Sequence, residues 1–154
     1  NPQGMALHPT SGKIWVHEHG PQGGDEINIL KAGANYGWPL TTYGEQYGGG
    51  KIGIGAEAPG IEAPLMHWTP SIAPSGMSFY EGEVFPDWKG DLLVGSLKYR
   101  LLVRVVLEGS QVNGQEVVFQ DQIGRIRDVC VDPEGKVYLL NDEYRGGVFR
   151  MDPI

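Results

Sequence analysis

The sequence predicts an all-β protein built from about three four-stranded units, and three observations lead to this prediction. Short apolar runs recur between turn signals, and the 24 glycines and 11 prolines provide unusually frequent turns. No apolar pattern keeps a helical period over ten positions without a glycine or proline. One hairpin plan also repeats along the chain, which favours a repeat architecture.

Between residues 1 and 96, five runs are predicted to be strands because turn residues bound each of them. Met5 to Leu7 and Lys13 to Val16 flank the turn HPTSG. Glu26 to Leu30 alternates between polar and apolar residues after two glycines. Gly76 to Tyr80 and Asp91 to Val94 enclose a connection that contains a Pro-Asp pair.

Five more strands are expected after residue 100, on the same grounds. Leu101 to Leu107 and Glu116 to Phe119 lie on either side of Glu-Gly-Ser, and Arg127 to Val131 and Lys136 to Leu140 enclose the turn DPEG. Gly147 to Met151 begins at the second of two adjacent glycines and is the last strand.

Three hairpins share one plan of strand, turn and strand: GMALHPTSGKIWV at 4–16, GMSFYEGEVFPDWKGDLLVGS at 76–96 and DVCVDPEGKVYLL at 128–140. A Gly/Pro-rich insert at 41–70 explains the wider first gap. Without it, each repeat is about 40 to 50 residues long, as in a four-stranded propeller blade. We expect blades at about 1–40, 71–120 and 121–154, with the third lacking a clear fourth strand.

Three blades cannot close a ring, so each end of the arc leaves a sheet face or edge uncovered. A second copy of the chain or another polypeptide is expected to complete it. A single β-sandwich with a long loop is the alternative that strand spacing leaves open.

Composition limits the classes of partner. The net charge of -7 argues against nucleic acid and anionic membranes, and no apolar run is long enough to span a bilayer. Cys130 alternates with apolar residues and is predicted to be a small core residue. The chain starts at Asn1 without a methionine or a signal peptide, which indicates a processed or truncated piece.

The segment HEHGPQGGDEINI at 17–29 offers three sets of metal ligands. His17 and His19 have the spacing of a zinc-binding pair on one strand face, but no partner ligands match them. Asp25 and Glu26 are carboxylates of the kind that calcium prefers, and the adjacent Gly20-Pro21 turn offers backbone carbonyls. From the residues alone, each of these metal sites is a possible interpretation, and so is a solvated turn that binds no metal.

Several motifs resemble one family in order along the chain: NPQGMALHP, HEHGPQGGDEINILKAGANYGWP, SIAPSGMSFY, GSLKYRLLVR and RIRDV. They are similar to the soluble PQQ-dependent aldose sugar dehydrogenases, relatives of soluble quinoprotein glucose dehydrogenase. The resemblance covers essentially the whole chain but only the C-terminal half of such an enzyme. It implies half of a six-bladed β-propeller that oxidises the anomeric hydroxyl of an aldose to a lactone, in the periplasm or outside the cell.

The resemblance also implies metal ligands. The carbonyls of Gly20 and Pro21 match those that hold the catalytic calcium beside pyrroloquinoline quinone (PQQ). Glu26 and the carbonyl of Tyr36 match a second, structural calcium site. Calcium is a hard cation, so this all-oxygen set suits it.

Five residues match cofactor contacts of the family, since PQQ carries three carboxylates and an o-quinone that need cations and amide donors. They are Asn1, Gln3, Lys98, Arg125 and Arg127. The arginine that precedes Asn1 in the family motif is missing from this chain. Trp68 and Thr69 fall near the segment that packs over the cofactor ring, although the local spacing differs and Trp68 also suits a core position.

The histidine that acts as general base in the family lies in the N-terminal half and is missing here. His8 belongs to a hairpin and does not replace it. We therefore expect the chain alone to be inactive. Two other functions stay open: a non-catalytic half-propeller that closes as a homodimer, and a sugar-binding module that uses Tyr43, Tyr47 and Trp68.

Overall fold

The computed structural model describes residues 1–153 and confirms the all-β prediction, with three antiparallel sheets. The first sheet contains β1 (Pro2–Leu7), β2 (Ile14–Glu18), β3 (Asp25–Ile29) and β4 (Met66–Trp68). The second contains β5 (Pro74–Phe79), β6 (Leu92–Ser96), β7 (Leu101–Glu108) and β8 (Gln111–Gln120). The third contains β9 (Ile126–Val131), β10 (Val137–Asn141) and β11 (Val148–Met151).

All ten predicted strands are present, and β4 is the one that sequence analysis missed. It has three residues, pairs Trp68 with Asp25 of β3, and lies inside the Gly/Pro-rich segment where no strand was expected. A run this short shows no alternation, so only its tertiary pairing identifies it. The one helical turn is the 3₁₀ segment Pro86–Trp88, and no helix among residues 1–153 is long and apolar enough to span a lipid bilayer.

The sheets follow one another, and apolar clusters fill the two spaces between neighbours. Trp15, Ile27, Phe79 and Leu92 are among the residues that join the first sheet to the second. A second cluster, which includes Leu93, Leu102, Val129 and Leu139, joins the second sheet to the third. The inner strands of the middle sheet are therefore covered on both faces, which explains the continuous apolar run in β6.

Each outer sheet has one open face. Met5 and Leu7 are 68% and 64% exposed on the first sheet, and Val148 is 67% exposed on the third. Cys130 also lies on the open face of the third sheet, so the prediction that it is a core residue is wrong. Its neighbour Val129 occupies the core face, and alternation then directs Cys130 outwards.

The first strands of the three sheets pack side by side, β1 beside β5 and β5 beside β9. Each is antiparallel to the next strand of its own sheet, so Pro2 pairs with Glu18, and Pro74 pairs with Ser96. In the third sheet Ile126 pairs with Asn141 in the same way. One edge of the molecule therefore collects the starts of three strands and the ends of three others.

Candidate functional site

The turn that begins at Gly20 follows β2 on this edge, and a buried carboxylate fixes its shape. Asp25 is fully buried at the start of β3. Its Oδ1 accepts a hydrogen bond from the Gly20 N–H at 2.9 Å, and its Oδ2 accepts one from the Ala73 N–H at 2.8 Å. Both oxygens accept hydrogen bonds from peptide groups, so Asp25 fixes the shape of the turn.

Two hydroxyl groups hold the far side of the same turn. The Gly23 N–H donates to Ser71 Oγ at 2.8 Å, and the Gly24 N–H donates to Thr69 Oγ1 at 3.2 Å. A side chain at Gly20 would strike the carbonyls of Gly23 and Gly24, so this position requires glycine. Within residues 1–153 neither the Gly20 nor the Pro21 carbonyl oxygen accepts a hydrogen bond. Two peptide oxygens of a rigid turn are thus left for a hard cation.

Glu26 lies on the open face of the first sheet within a small acidic group. The Nδ2 of Asn28 is 3.4 Å from Glu26 Oε2 and 3.3 Å from Glu18 Oε1. Burial, with a smaller contribution from the charge of Glu18, raises the pKa of Glu26 to about 7. The Oδ1 of Asn28 is buried and has no hydrogen-bond partner within residues 1–153. The buried carboxylate of Glu26, the partly exposed one of Glu18 and an unpaired amide oxygen form a donor set that suits a divalent cation.

Tyr36 lies close to this group. Its hydroxyl donates to the Ile29 carbonyl at 3.1 Å and accepts from the Lys31 N–H at 2.7 Å, which fixes the loop after β3. Glu26, Tyr36 and Gly20 border one narrow space of about 10 Å³. That volume is near the minimum that one water molecule requires. The structure therefore brings residues of both predicted calcium sites to the same small space.

The two histidines of the segment 17–29 have different surroundings. His17 is fully buried, and neither of its ring nitrogens has a hydrogen-bond partner within residues 1–153. Burial lowers its pKa from 6.5 to about 4. His19 lies beyond the strand, with Nε2 2.6 Å from the Pro74 carbonyl oxygen. Residues 1–153 contain no group of three His, Cys, Asp or Glu side chains that could hold a metal, so a cation here needs peptide oxygens as well.

Arg125 and Arg127 converge on one carboxylate at the start of β9. Their Nη2 atoms lie 3.3 Å and 2.6 Å from Asp142 Oδ2. The hydrogen bond from Arg127 is the main cause that lowers the pKa of Asp142. Both guanidinium groups are close to half exposed, so they form a paired cationic surface that a ligand can reach. Sequence analysis missed Asp142, whose only signal is its place directly after β10.

The other predicted cofactor residues lie at the same edge but not in one cluster. Gln3 Nε2 donates to Asn1 Oδ1 at 2.9 Å, and Asn1 lines a cavity with Gly20 and Pro21. Lys98 is exposed just after β6, where its Nζ lies 5.1 Å from the centre of the Tyr99 ring.

Trp68 is a core residue. It is buried, and its Nε1 donates to Gln115 Oε1 at 2.7 Å. It therefore cannot stack on a sugar, which removes one of the three aromatic residues assigned to a sugar-binding module. Tyr43 stacks on His67 with ring centres 3.9 Å apart, so part of its face is covered as well. Tyr47 remains exposed.

Comparison with known proteins gives consistent matches. The glucose/sorbosone dehydrogenase family model matches residues 1–150. The aldose sugar dehydrogenase YliI of Escherichia coli (strain K12) is 44% identical over 155 residues, which cover 99% of this chain and 42% of that protein. A crystal structure of a glucose dehydrogenase superimposes with a TM-score of 0.97 at 48% identity, covering 100% of this chain and 45% of the other.

A solved PQQ-bound form of aldose sugar dehydrogenase from Streptomyces coelicolor matches with a TM-score of 0.75 at 25% identity, over 99% of this chain and 43% of that one. The chain thus spans less than half the length of these relatives. A chain of about half the relatives' length with three sheets is what half of a six-bladed propeller requires. The prediction of half a β-propeller is confirmed.

Proposed function

The chain belongs to the glucose/sorbosone dehydrogenase family, and on that premise we propose that it forms the C-terminal half of a PQQ- and calcium-dependent aldose sugar dehydrogenase. The observation that carries the proposal is the arrangement of one sheet edge. An exposed arginine pair, Arg125 and Arg127, and a rigid turn with free carbonyls at Gly20 and Pro21 lie at this same edge. The blade division at 1–40, 71–120 and 121–154 is part of the proposal, with Met66–Trp68 added to the first blade as its fourth strand.

Calcium is assigned to the peptide oxygens of Gly20 and Pro21, because Asp25 holds the turn in one conformation. A second calcium ion is assigned to Glu26 and the Tyr36 carbonyl. The raised pKa of Glu26 supports this assignment, because a cation would relieve the cost of its buried charge.

PQQ is assigned to the arginine pair and the amide groups at the start of β1. Arginine binds carboxylates through two parallel hydrogen bonds, so two adjacent guanidinium groups suit a tricarboxylate. Asn1 and Gln3 donate side-chain amide hydrogens, and Lys98 adds a positive charge at the end of β6. When bound, PQQ supplies the o-quinone that accepts electrons from the sugar.

The chain alone is expected to bind these groups but not to turn over sugar. His17 is buried in a neutral form, His8 is buried in the core, and neither can reach an aldose hydroxyl as a general base. Loss of a general base costs a factor of about 10² to 10⁴ in rate. The missing half of the enzyme, in the periplasm or outside the cell, is proposed to supply that base.

The test is a calorimetric titration of the purified chain with calcium and then with PQQ, followed by an assay with glucose and an artificial electron acceptor. We expect PQQ binding that depends on Arg125 and Arg127, with no turnover. Failure to bind PQQ in the presence of calcium would refute the proposal. Turnover by the chain alone would refute the claim that it needs another half.

A second candidate is a homodimer that closes a six-bladed ring without catalysis. The open faces of the first and third sheets favour it, because the exposed side chains Met5, Leu7 and Val148 are apolar. Light scattering on the purified chain distinguishes a dimer from a monomer. A strictly monomeric chain would exclude self-closure.

A further inference from the structure

Two exposed aromatic side chains border the turn at Gly20 and Pro21. Trp38 is 56% exposed and Tyr47 is 80% exposed, whereas Trp15 and Trp68 are buried in the core. With Asn1, His19, Gly20 and Pro21 they line one cavity of about 240 Å³. This volume is below the range of about 300 to 1,000 Å³ for drug-sized ligands, so the cavity suits a small molecule.

Trp38 is exposed on a loop whose backbone is fixed by hydrogen bonds. The N–H of Gly37 donates to Asn35 Oδ1 at 2.9 Å, and the Thr41 N–H donates to the Gly37 carbonyl at 3.0 Å. Gly37 is buried with φ of 104°, and a side chain there would strike Thr41. The exposure of Trp38 is therefore a consequence of a constrained turn.

Tyr47 also sits in a loop that hydrogen bonds hold together. The Gln46 N–H donates to the Gly50 carbonyl at 2.9 Å, and Glu45 forms backbone bridges with Gln22 and Lys51. The bridge to Gln22 connects this loop to the residue directly after Pro21. Tyr47 thus projects from a segment that is attached to the proposed cation turn.

The chemistry of the cavity favours a neutral ring with one apolar face. Aromatic rings present a large rigid contact surface at low cost in conformational entropy. The side chains of Asn1 and His19 add polar groups to the same cavity. A pyranose has an apolar face of C–H groups and a rim of hydroxyls, and so matches both kinds of lining.

We infer that Trp38 and Tyr47 form an aromatic platform on which the pyranose ring of an aldose binds, beside the Gly20-Pro21 turn. The inference rests on the proposed function for the identity of the sugar and for the nearby calcium. It assigns the two aromatic residues to substrate binding and not to the cofactor. PQQ affinity should therefore not depend on them.

The test uses saturation-transfer NMR of D-glucose with the calcium-loaded chain and four single substitutions. Trp38→Ala and Tyr47→Ala should each weaken glucose binding about tenfold. Trp38→Phe should retain most of it because the ring remains. Tyr144→Ala is the matched control, since Tyr144 is fully exposed and lies outside this cavity. Its glucose binding should equal that of the unaltered chain.

The inference is overturned if glucose fails to bind the unaltered chain, or if Trp38→Ala and Tyr47→Ala bind it as well as Tyr144→Ala does. It is also overturned if the two alanine variants lose PQQ affinity and keep glucose affinity. The proposed function fails separately: glucose contact at Trp38 without PQQ binding would support the platform and refute the dehydrogenase assignment. If PQQ binds and Trp38→Ala leaves glucose binding unchanged, the dehydrogenase assignment is supported and the aromatic platform is refuted.

Discussion

The buried carboxylate of Asp25 accepts a 2.8 Å hydrogen bond from the backbone N–H of Ala73, which begins the approach to the second sheet. The same carboxylate holds the N–H of Gly20. Ala73 has φ of 53°, a left-handed conformation that costs about 1 to 2 kcal/mol for a residue other than glycine. Asp25 therefore connects a strained junction between two sheets to the turn proposed to hold calcium.

Asp25→Asn is predicted to lower both stability and calcium affinity. Asparagine has one oxygen and one NH₂ group, so its NH₂ group would meet a peptide N–H, and two donors cannot form a hydrogen bond. At least one buried hydrogen bond is lost, at a cost of about 1 to 3 kcal/mol in the free energy of unfolding. The Gly20 and Pro21 carbonyls would also lose their fixed orientation. Urea denaturation and calcium calorimetry measure the two effects.

Asp152→Asn is the control for this substitution, because Asp152 is exposed and pairs only with Arg150 at the surface. It should change the free energy of unfolding by less than about 1 kcal/mol. Calcium affinity that stays unchanged in Asp25→Asn would contradict the positioning role of Asp25.

Acid is predicted to destabilise the chain through His17. Its pKa is about 4 in the folded state, because burial disfavours the charged ring, and 6.5 is the value for an exposed histidine. The unfolded chain therefore binds a proton between these values and the folded chain does not. The contribution of His17 to stability is therefore complete above pH 6.5 and is lost, by about 3 kcal/mol, as the pH drops towards 4. Glu26 gives the opposite slope between pH 4.5 and 7, because its pKa is raised to about 7 in the folded state, so the effect of His17 is read by comparison with a variant that lacks it.

Thermal denaturation as a function of pH tests this prediction. Between pH 6.5 and 4, His17→Leu should lose about 3 kcal/mol less stability than the unaltered chain, because the group that takes up a proton on unfolding is gone. His67→Gln is the control, since His67 is exposed, and its pH profile should match that of the unaltered chain. Parallel pH profiles for His17→Leu and the unaltered chain would show that His17 does not cause the acid sensitivity.

The sequence could predict the strands and the arginine pair because both depend on local patterns. Turn residues bound each strand, and the alternation of Arg125 and Arg127 along a strand places them on the same side. The structure adds that Asp142 bridges the two arginines, which follows from the pairing of β9 with β10 and is not visible in the spacing.

Long-range contacts explain what the sequence could not predict. Asp25 and Glu26 are adjacent acidic residues, yet one faces the core and accepts two peptide hydrogen bonds while the other lies on the open face. The sequence shows the alternation of side chains around Cys130, but it does not show that Val129 packs in the core and Cys130 faces outwards. Which face is buried depends on the neighbouring sheet.

Arg127→Lys is predicted to weaken PQQ binding about tenfold or more, because a lysine cannot make paired hydrogen bonds to a carboxylate. Stability should change by less than about 1 kcal/mol, since Arg127 and Asp142 form an exposed ion pair. Fluorescence titration with PQQ measures the affinity. Arg150→Lys is the matched control, because Arg150 also pairs with an exposed aspartate but lies on β11. Equal affinities in the two variants would remove Arg127 from the proposed cofactor site.

The open face of the first sheet is predicted to be a contact surface. Met5 pairs with Val16 and Leu7 pairs with Ile14, so the exposed side chains form a continuous apolar patch on one face. Burying such a patch is favourable by about 25 cal/mol per Å². Replacing both Met5 and Leu7 with lysine should therefore abolish association with a second copy, or with the other half of the enzyme, and leave the monomer folded.

Light scattering with increasing protein concentration measures this association, and circular dichroism shows whether the fold is kept. Val117→Lys provides the control, because Val117 is 55% exposed but belongs to β8 of the middle sheet. It should associate as the unaltered chain does. If the Met5/Leu7 variant associates equally well, the contact lies elsewhere, and the open face of the third sheet around Val148 becomes the surface to test.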